Sequence, residues 1–582
     1  MCFFEKIFRV IGVGLLISSL SALAAPPPQP TSDAGQILQQ IERDIEVKPL
    51  PTLPTPKVQE PVVEEAQAEM VVVKEFKFEG NQVLTNEVLQ VVLEPLKNRS
   101  ISITELKGSL DLIANIYRQK GYIAIATLPE QDITEGVVLI KIVEAAFGGV
   151  KIDGIYNKDY KRISPVVIER IIGAKSPKGQ VLNQENLDRA LGLMQRLSGF
   201  EVTSNLQAGQ EDNTTDVLLK VTDHPLLTFG LAADNSGGQS TGKSKTTATL
   251  DVASPLKQGD IFNVTLLHTQ GTDYSHVAYT LPVGARGLQI GSNASHMVYK
   301  FIEPMEGGYI PLGHSYTYKL NATYPIILSN NKNLNVEMDY EKKYFLNKMS
   351  SPDQTAIESD YKVDVFSVLI SGNYVDGFLA GAQNNASINL GFGNVNLEGS
   401  PNKTRDLEGS NTQGNYKRLH WNLSRNQFFT DSLSLNLDAS GQAANRNLDS
   451  SEKFYLGGIN GVRAYPTSEG SGSDGYLLKV ELHKYLPHNF HVSVFVDKGY
   501  VKQYHVAHTF DGTSLPSEGP NSFTLKGLGA TVSWSGPYKS LFKTTYSHRM
   551  GKNPNPSTLD HLHDQDGTLL YDVLWFNASA SF

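Results

Sequence analysis

Residues 476–483 read Tyr476-Leu477-Leu478-Lys479-Val480-Glu481-Leu482-His483. Successive side chains of an extended chain point to opposite faces. Tyr476, Leu478, Val480 and Leu482 therefore share one face, and Lys479, Glu481 and His483 share the other. Leu528-Gly529-Ala530-Thr531-Val532-Ser533-Trp534 repeats the pattern, with an apolar face against a small or polar one. One such strand suits a soluble sandwich equally well, so number and spacing must decide. About sixteen alternating segments begin between Leu226 and Tyr571. The turns at 255–259, 284–287, 329–332, 430–431 and 487–489 are tight, and the connections at 350–359, 398–414, 447–474, 503–520 and 553–569 are long. Short turns at one end and long loops at the other mark a membrane β-barrel. An even strand count returns the chain to the side it started from. We therefore expect residues 225–582 to form an antiparallel barrel of about sixteen strands. Its last strand places Leu574, Phe576, Ala578, Ala580 and Phe582 on one face.

Upstream, residues 71–224 hold one pattern twice. The first copy reads as a strand (71–78), two helices (85–96 and 103–120) and two strands (122–128 and 137–143). The second reads as a strand (149–153), helices (164–172 and 183–197) and strands (200–207 and 215–221). Each copy suffices for a small sheet covered by two helices, and the edge strand of such a sheet can accept a guest strand. The expected units are 71–146 and 147–224.

Residues 25–70 form a leader. Residues 32–46 suit an amphipathic helix capped by Ser32 or Asp33, with Ile37, Leu38, Ile41 and Ile45 on one face. Pro49, Pro51, Pro54, Pro56 and Pro61 then make a stiff linker. Residues 1–24 carry Lys6 and Arg9, an apolar run and Ala22-Leu23-Ala24, the plan of a secretory signal peptide. Cys2, the single cysteine, would leave with it, so neither a disulfide nor a thiolate metal site is expected. The formal charge of −9 without a long basic stretch gives nucleic-acid binding no support. Neither G-x-S-x-G nor H-E-x-x-H occurs. His561-Leu562-His563-Asp564 could hold a metal, but it falls in a polar loop where a solvated role is favoured. We expect no enzyme, no cofactor and no metal.

Phe76-Lys77-Phe78-Glu79-Gly80-Asn81 resembles the opening of a POTRA domain, as does Val150-Lys151-Ile152-Asp153-Gly154. Arg118-Gln119-Lys120-Gly121-Tyr122 resembles that domain's helix-to-strand turn. The longest loop contains Gly457-Gly458-Ile459-Asn460-Gly461-Val462-Arg463-Ala464-Tyr465-Pro466, followed by a Gly/Ser-rich stretch. It resembles the V-R-G-Y loop of the Omp85 superfamily, with Ala464 where the best-known form has Gly. Val494-Phe495-Val496-Asp497-Lys498-Gly499 resembles the partner strand, and its alternation sends Phe495 and Asp497 to the lumen.

Two POTRA-like units, an N-terminal helix and sixteen strands together resemble the two-partner secretion transporters, the TpsB family (FhaC/ShlB/HecB-like). The resemblance implies an Arg463–Asp497 lock between the loop 461–466 and the wall motif Phe495, Asp497 and Gly499. It implies a plug helix, and it makes Phe582 a signal to the barrel assembly machinery. It also implies periplasmic chaperones during biogenesis, an outer-membrane location with the POTRA units in the periplasm, and a TpsA-like exoprotein as partner. The partner would be captured by its secretion domain and threaded out unfolded. The alternative is an Omp85-type assembly factor for other barrels, which usually carries more periplasmic units.

Overall fold

The computed structural model describes residues 32–45, 70–131, 133, 135–152, 162–211, 214–467, 469–507, 520–556 and 563–582. The expected signal peptide and proline linker, and His561 and Leu562, lie outside the described residues.

Sixteen antiparallel strands close into a barrel. They are β1 (Leu227–Asp234), β2 (Lys245–Ala253), β3 (Ile261–His268), β4 (Thr272–Val283), β5 (Leu288–Lys300), β6 (Ile310–Leu328), β7 (Lys332–Ser350) and β8 (Thr355–Asp376). The second half is β9 (Ala382–Asn396), β10 (Gly414–Thr430), β11 (Leu433–Ala444), β12 (Asp474–Tyr485), β13 (Phe490–Lys502), β14 (Ser522–Ser535), β15 (Leu541–Arg549) and β16 (Asp572–Ser581). Closure pairs Gly230–Asp234 of β1 with 577–581 of β16. The chain end completes the seam, because Phe582 and Phe229 exchange backbone hydrogen bonds of 2.8 and 3.1 Å.

Alternation sorts the wall as expected. On β13, Val494 and Val496 are exposed toward lipid, while Ser493, Phe495 and Asp497 are buried toward the lumen. The 350–359 connection is shorter than expected: β7 and β8 run on until only 351–354 separate them. Those strands hold 19 and 22 residues, well beyond the roughly 9–11 that cross a bilayer. They therefore project outside it, where polar residues such as Asn347, Ser359 and Asp360 belong to strand rather than loop.

The two α+β units share one topology. In the first, the strand Glu75–Glu79 pairs in parallel with Val137–Glu144, which pairs antiparallel with Ala124–Thr127. In the second, Ala146–Ile152 pairs in parallel with Thr214–Asp223, which pairs antiparallel with Phe200–Ala208. The expected strand 71–78 is split: Met70–Val72 leaves the sheet to pair with Ser100–Ser102. The helix α1 (Ala34–Ile45) precedes the units; α2 (Asn86–Leu93) and α3 (Ile103–Gln119) cover the first sheet, α4 (Pro165–Gly173) and α5 (Gln184–Gln195) the second. Ser102 caps α3 by accepting from the Glu105 N–H, and Asn183 caps α5 by accepting from the Asn186 N–H, both at 3.0 Å.

The second unit is seated on the barrel rim through α5. Arg189 donates to the Pro325 carbonyl at 2.7 Å and Arg196 to Asn335 Oδ1 at 2.6 Å. The Ser164 and Ser198 N–H groups donate to the Lys257 and Gly259 carbonyls, both at 3.0 Å. Gly287 occupies φ +94°, and a Cβ there would lie 2.3 Å from Leu193 and 2.8 Å from Pro325. Neither the backbone conformation nor the space admits a side chain. We predict that Gly287→Val loosens this seat. Trypsin should then cut the full-length protein faster after Arg189 and Arg196, the α5 residues that the seat covers, while the barrel keeps its heat-modifiable migration. An unchanged cleavage rate would show that the seat does not depend on this approach.

Candidate functional site in the barrel lumen

The connection between β11 and β12 folds back into the lumen. Gly461 makes its hairpin possible: the Val462 N–H donates to the Leu456 carbonyl at 2.7 Å, and a Cβ on Gly461 would lie 1.7 Å from that same oxygen. The hairpin packs on two glycines of the wall. A Cβ on Gly499 would meet Leu456 at 2.7 Å, and one on Gly527 would meet the Ala464 methyl at 2.5 Å. Ala464 itself is not in the left-handed region, so it needs no glycine. Gly527, across the interface, makes the room that Ala464 takes up.

This seating buries Arg463. Its Nε donates to Asp497 Oδ2 at 2.9 Å and its Nη2 to Oδ1 at 2.8 Å, a two-point grip on one carboxylate. Its backbone N–H adds a bond to Oδ2 at 3.1 Å. The guanidinium lies over the Phe495 ring, 3.3 Å from the centroid. The Arg463 carbonyl accepts from Ser547 Oγ at 2.7 Å and Trp575 Nε1 at 2.8 Å, which ties the loop to β15 and β16. The expected pair is thus brought together with both members buried.

Sequence reasoning missed Glu481, which accepts from Arg463 Nη1 at 2.8 Å. The signal was present, since Glu481 shares the lumen face of β12 and stands directly opposite Phe495. Tyr465 stacks under Arg549, 4.3 Å from guanidinium carbon to ring centroid. Further along the loop, Glu469 accepts from Asn553 at 2.8 Å and from the Gln565 N–H at 2.9 Å. Burial, with Asp564 beside it, pushes the Glu469 carboxyl up to about 8. Asp564, the described acid of the histidine-rich stretch, pairs with Arg549. Among the described residues no three His, Cys, Asp or Glu side chains gather as a metal site.

Helix α1 lies against this loop, inside the barrel. Asp33 caps it, accepting from the Gln36 N–H at 2.9 Å. Ile37, Leu38 and Ile41 are buried, with Ile45 packed beside them, against a lumen cluster that includes Leu267, Met297, Phe345 and Val363. The opposite face holds the loop. Arg43 donates to the Tyr455 carbonyl at 3.2 Å and the Gly457 carbonyl at 3.0 Å. Asp44 takes Lys245 at 2.9 Å and Asn460 Nδ2 at 3.0 Å. Burial pushes the Glu42 carboxyl up to about 7; Glu341 and Glu452 push the same way, while Lys343 and Lys319 oppose. Burial beside Asp33 raises Asp449, at the other end of the helix, to about 6.

A closed barrel with α+β units on one rim and an inward loop in its lumen defines an outer-membrane protein transporter of the POTRA-bearing class. The family model for the haemolysin secretion/activation protein ShlB/FhaC/HecB matches residues 213–518, and that for the ShlB-type POTRA domain matches residues 71–145. The chain belongs to the ShlB/FhaC/HecB family, the transporters of two-partner secretion, and not to the barrel assembly factors. The heme/hemopexin transporter protein HuxB of Haemophilus influenzae (strain 86-028NP) is 23% identical over 547 residues, covering 91% of this chain and 93% of its own. The outer membrane transporter CdiB of Dickeya dadantii (strain 3937) is 23% identical over 420 residues, covering 70% and 72%. The solved structure of CdiB from Escherichia coli superposes with a TM-score of 0.70 at 19% identity, over 97% of this chain and 100% of that one, and shares the fold.

Removing one partner of a buried ion pair strands the other's charge, at a cost of about 3–5 kcal/mol. We predict that Arg463→Ala and Asp497→Ala each lower the barrel's thermal unfolding midpoint, and that the double variant loses clearly less than the sum. Additive losses in electrophoretic heat-modifiability would show that the pair is not coupled.

Proposed function

We propose that the chain captures a TpsA-like exoprotein through its N-terminal secretion domain, using the units 71–146 and 147–224 as two POTRA domains. It then passes that protein, unfolded, through the barrel 225–582 to the cell surface. Capture adds a cargo strand at a free sheet edge of one of these units. Helix α1, through Ile37, Leu38, Ile41 and Ile45, plugs the lumen at rest, and the Arg463–Asp497 lock holds the loop 461–466 on Phe495, Asp497 and Gly499. Phe582 serves as the signal to the barrel assembly machinery, with periplasmic chaperones delivering the chain. The chain performs no catalysis, and folding of the cargo outside supplies the drive.

One observation carries this reading. The lumen is occupied by two segments, α1 and the inward loop, neither of which belongs to the wall. Behind them the wall offers neutral hydrogen-bonding side chains, among them Asn263, Thr265, Asn293, Asn321, Asn422 and Asn436. The charges among them are held within the wall, Lys319 by Asp339 at 3.2 Å and Asp251 and Asp438 each by an asparagine at 2.6 Å, so the surface wets a passing polypeptide with few charges free to retain it.

The test is co-expression with the large exported protein encoded beside it, assayed in the medium. Cargo should appear with the intact chain, vanish when 71–224 are deleted, and fall at least tenfold with Arg463→Ala. Secretion that persists without this chain would overturn the proposal.

Plug docking should also depend on pH. Glu42 titrates near 7 when docked and near the ordinary 4.5 when released, so docking takes up a proton. Docking is then strongest below about pH 4.5, weakens as pH rises toward 7, and is constant above. Asp449 shifts in the same direction. Ala34→Cys places a thiol at a fully buried position of the helix. Its labelling rate, normalised to a denatured control, should rise roughly thirtyfold from pH 5.5 to 8. Glu42→Gln should flatten the profile, and an unflattened profile would remove Glu42 from the account.

A further inference from the structure

The outer face of β12–β15 carries a vertical sequence of surfaces. At the periplasmic end Phe490, Trp534 and Phe542 stand in register on three adjacent strands and stack side by side, with centroids 6.4 and 5.7 Å apart. Such a girdle marks the lower membrane interface. Above it Val492, Val494 and Val496 face Val532, Ala530 and Leu528 across the β13–β14 ladder. The next outward rung pairs Lys498 with Lys526. Both are exposed. Higher still, Tyr500 stacks on Tyr476 at 5.4 Å.

Like charges directly opposite each other destabilise a ladder, and a lysine on the lipid face is tolerated only toward the interface. Lys498 stands eight residues above Phe490 on the same strand. At about 3.3 Å per residue and a tilt of about 40°, that is roughly 20 Å above the girdle, near the top of an apolar band about 25 Å tall. β13 runs away from the α+β units, so this is the outer leaflet. Among the described residues no carboxylate pairs with either ammonium. The neighbouring acid Asp572 is already held by Tyr546 Oη at 2.6 Å and His548 Nδ1 at 2.8 Å. Lys342, elsewhere on the outer surface, does have its own acid, Asp364, at 3.3 Å.

We propose that Lys498 and Lys526 form a binding site for the phosphate-bearing headgroup of an outer-leaflet lipid. The two ammoniums, at headgroup height and without a protein counterion, take the anion between them, while the valine and leucine rungs below hold its acyl chains. Tyr500 and Tyr476 cover it from above. The site backs directly onto the lumen site: the adjacent rung, Asp497 opposite Gly527, is where the Arg463 loop is seated on the inner face.

The test uses the full-length transporter in nanodiscs of phosphatidylethanolamine doped with diphosphoryl lipid A, read by native mass spectrometry after stepwise delipidation. The intact chain should retain diphosphoryl lipid A in preference to its dephosphorylated form. At about 1 kcal/mol per lysine near a membrane surface, and about 1.4 kcal/mol per order of magnitude, Lys498→Gln/Lys526→Gln should weaken retention about thirtyfold. Lys→Arg at both positions should keep it. These changes relieve a like-charge contact and leave the apolar rungs intact, so the variants should fold, which heat-modifiability checks. Equal retention by the glutamine variant would overturn the site. Full competition by millimolar inorganic phosphate would overturn the lipid as its occupant.

Discussion

Inside a bilayer no water is available to the peptide groups, and every N–H and C=O must find a partner within the protein. This constraint makes the sheet close, and the closing is visible at its narrowest place. β1 and β16 pair over Gly230–Asp234 and 577–581, a shorter ladder than the one that joins the long strands β7 and β8 across the barrel. The shortfall is met at both ends. Phe582 continues the ladder below, while above it the Asn235 side chain donates to the Leu574 carbonyl and accepts from the Phe576 N–H, both at 2.8 Å. A side chain thus substitutes for backbone that the first strand does not supply.

Closure at sixteen strands has a consequence inside. A barrel this wide encloses more space than its own side chains fill, so the lumen must hold water or other chain. Here it holds α1 and the β11–β12 loop. Bringing Arg463 into that space would be costly without a counterion. The wall supplies Asp497 with matching two-point geometry, Glu481 beside it, and the Phe495 face beneath. Glycines at 461, 499 and 527 let the loop come close enough for the grip to form. The charge chemistry and the steric allowance therefore depend on each other: a methyl at Gly499 would lift the loop away from the strand that carries Asp497.

Much of this was legible in the sequence, because period-two alternation reports which face a residue occupies. It placed all sixteen strands, sent Asp497 inward and Val496 outward, and put Ile37, Leu38 and Ile41 on one helical face. Alternation does not report height along the barrel or the partner reached from another segment. Glu481 was placed on the correct face without being recognised as a second acceptor for Arg463. The 350–359 connection reads as a loop because its polar residues break the pattern where the strands have already left the membrane. The pairing of Met70–Val72 with Ser100–Ser102 joins segments separated by α2, and no local signal announces it.

The two occupants of the lumen are held by bonds of different kinds. Arg463 is held by carboxylates buried beneath the loop, and breaking that grip strands charges that water does not reach. Helix α1 is held by a narrow apolar face, by Arg43 on the carbonyls of Tyr455 and Gly457, by Gln39 on that of Lys453, and by one ion pair, Asp44 with Lys245, whose lysine keeps Asp234 at 3.5 Å as a second counterion when the helix leaves. Water can replace a donor to a carbonyl at little net cost, since a typical intramolecular hydrogen bond contributes only about 1 kcal/mol. The balance favours departure of the helix before the loop. Because Arg43 holds the very segment from which the Arg463 hairpin springs, that departure also removes a brace from the loop's base. Water admitted by the first step would then lower the cost of parting Arg463 from Asp497 in the second.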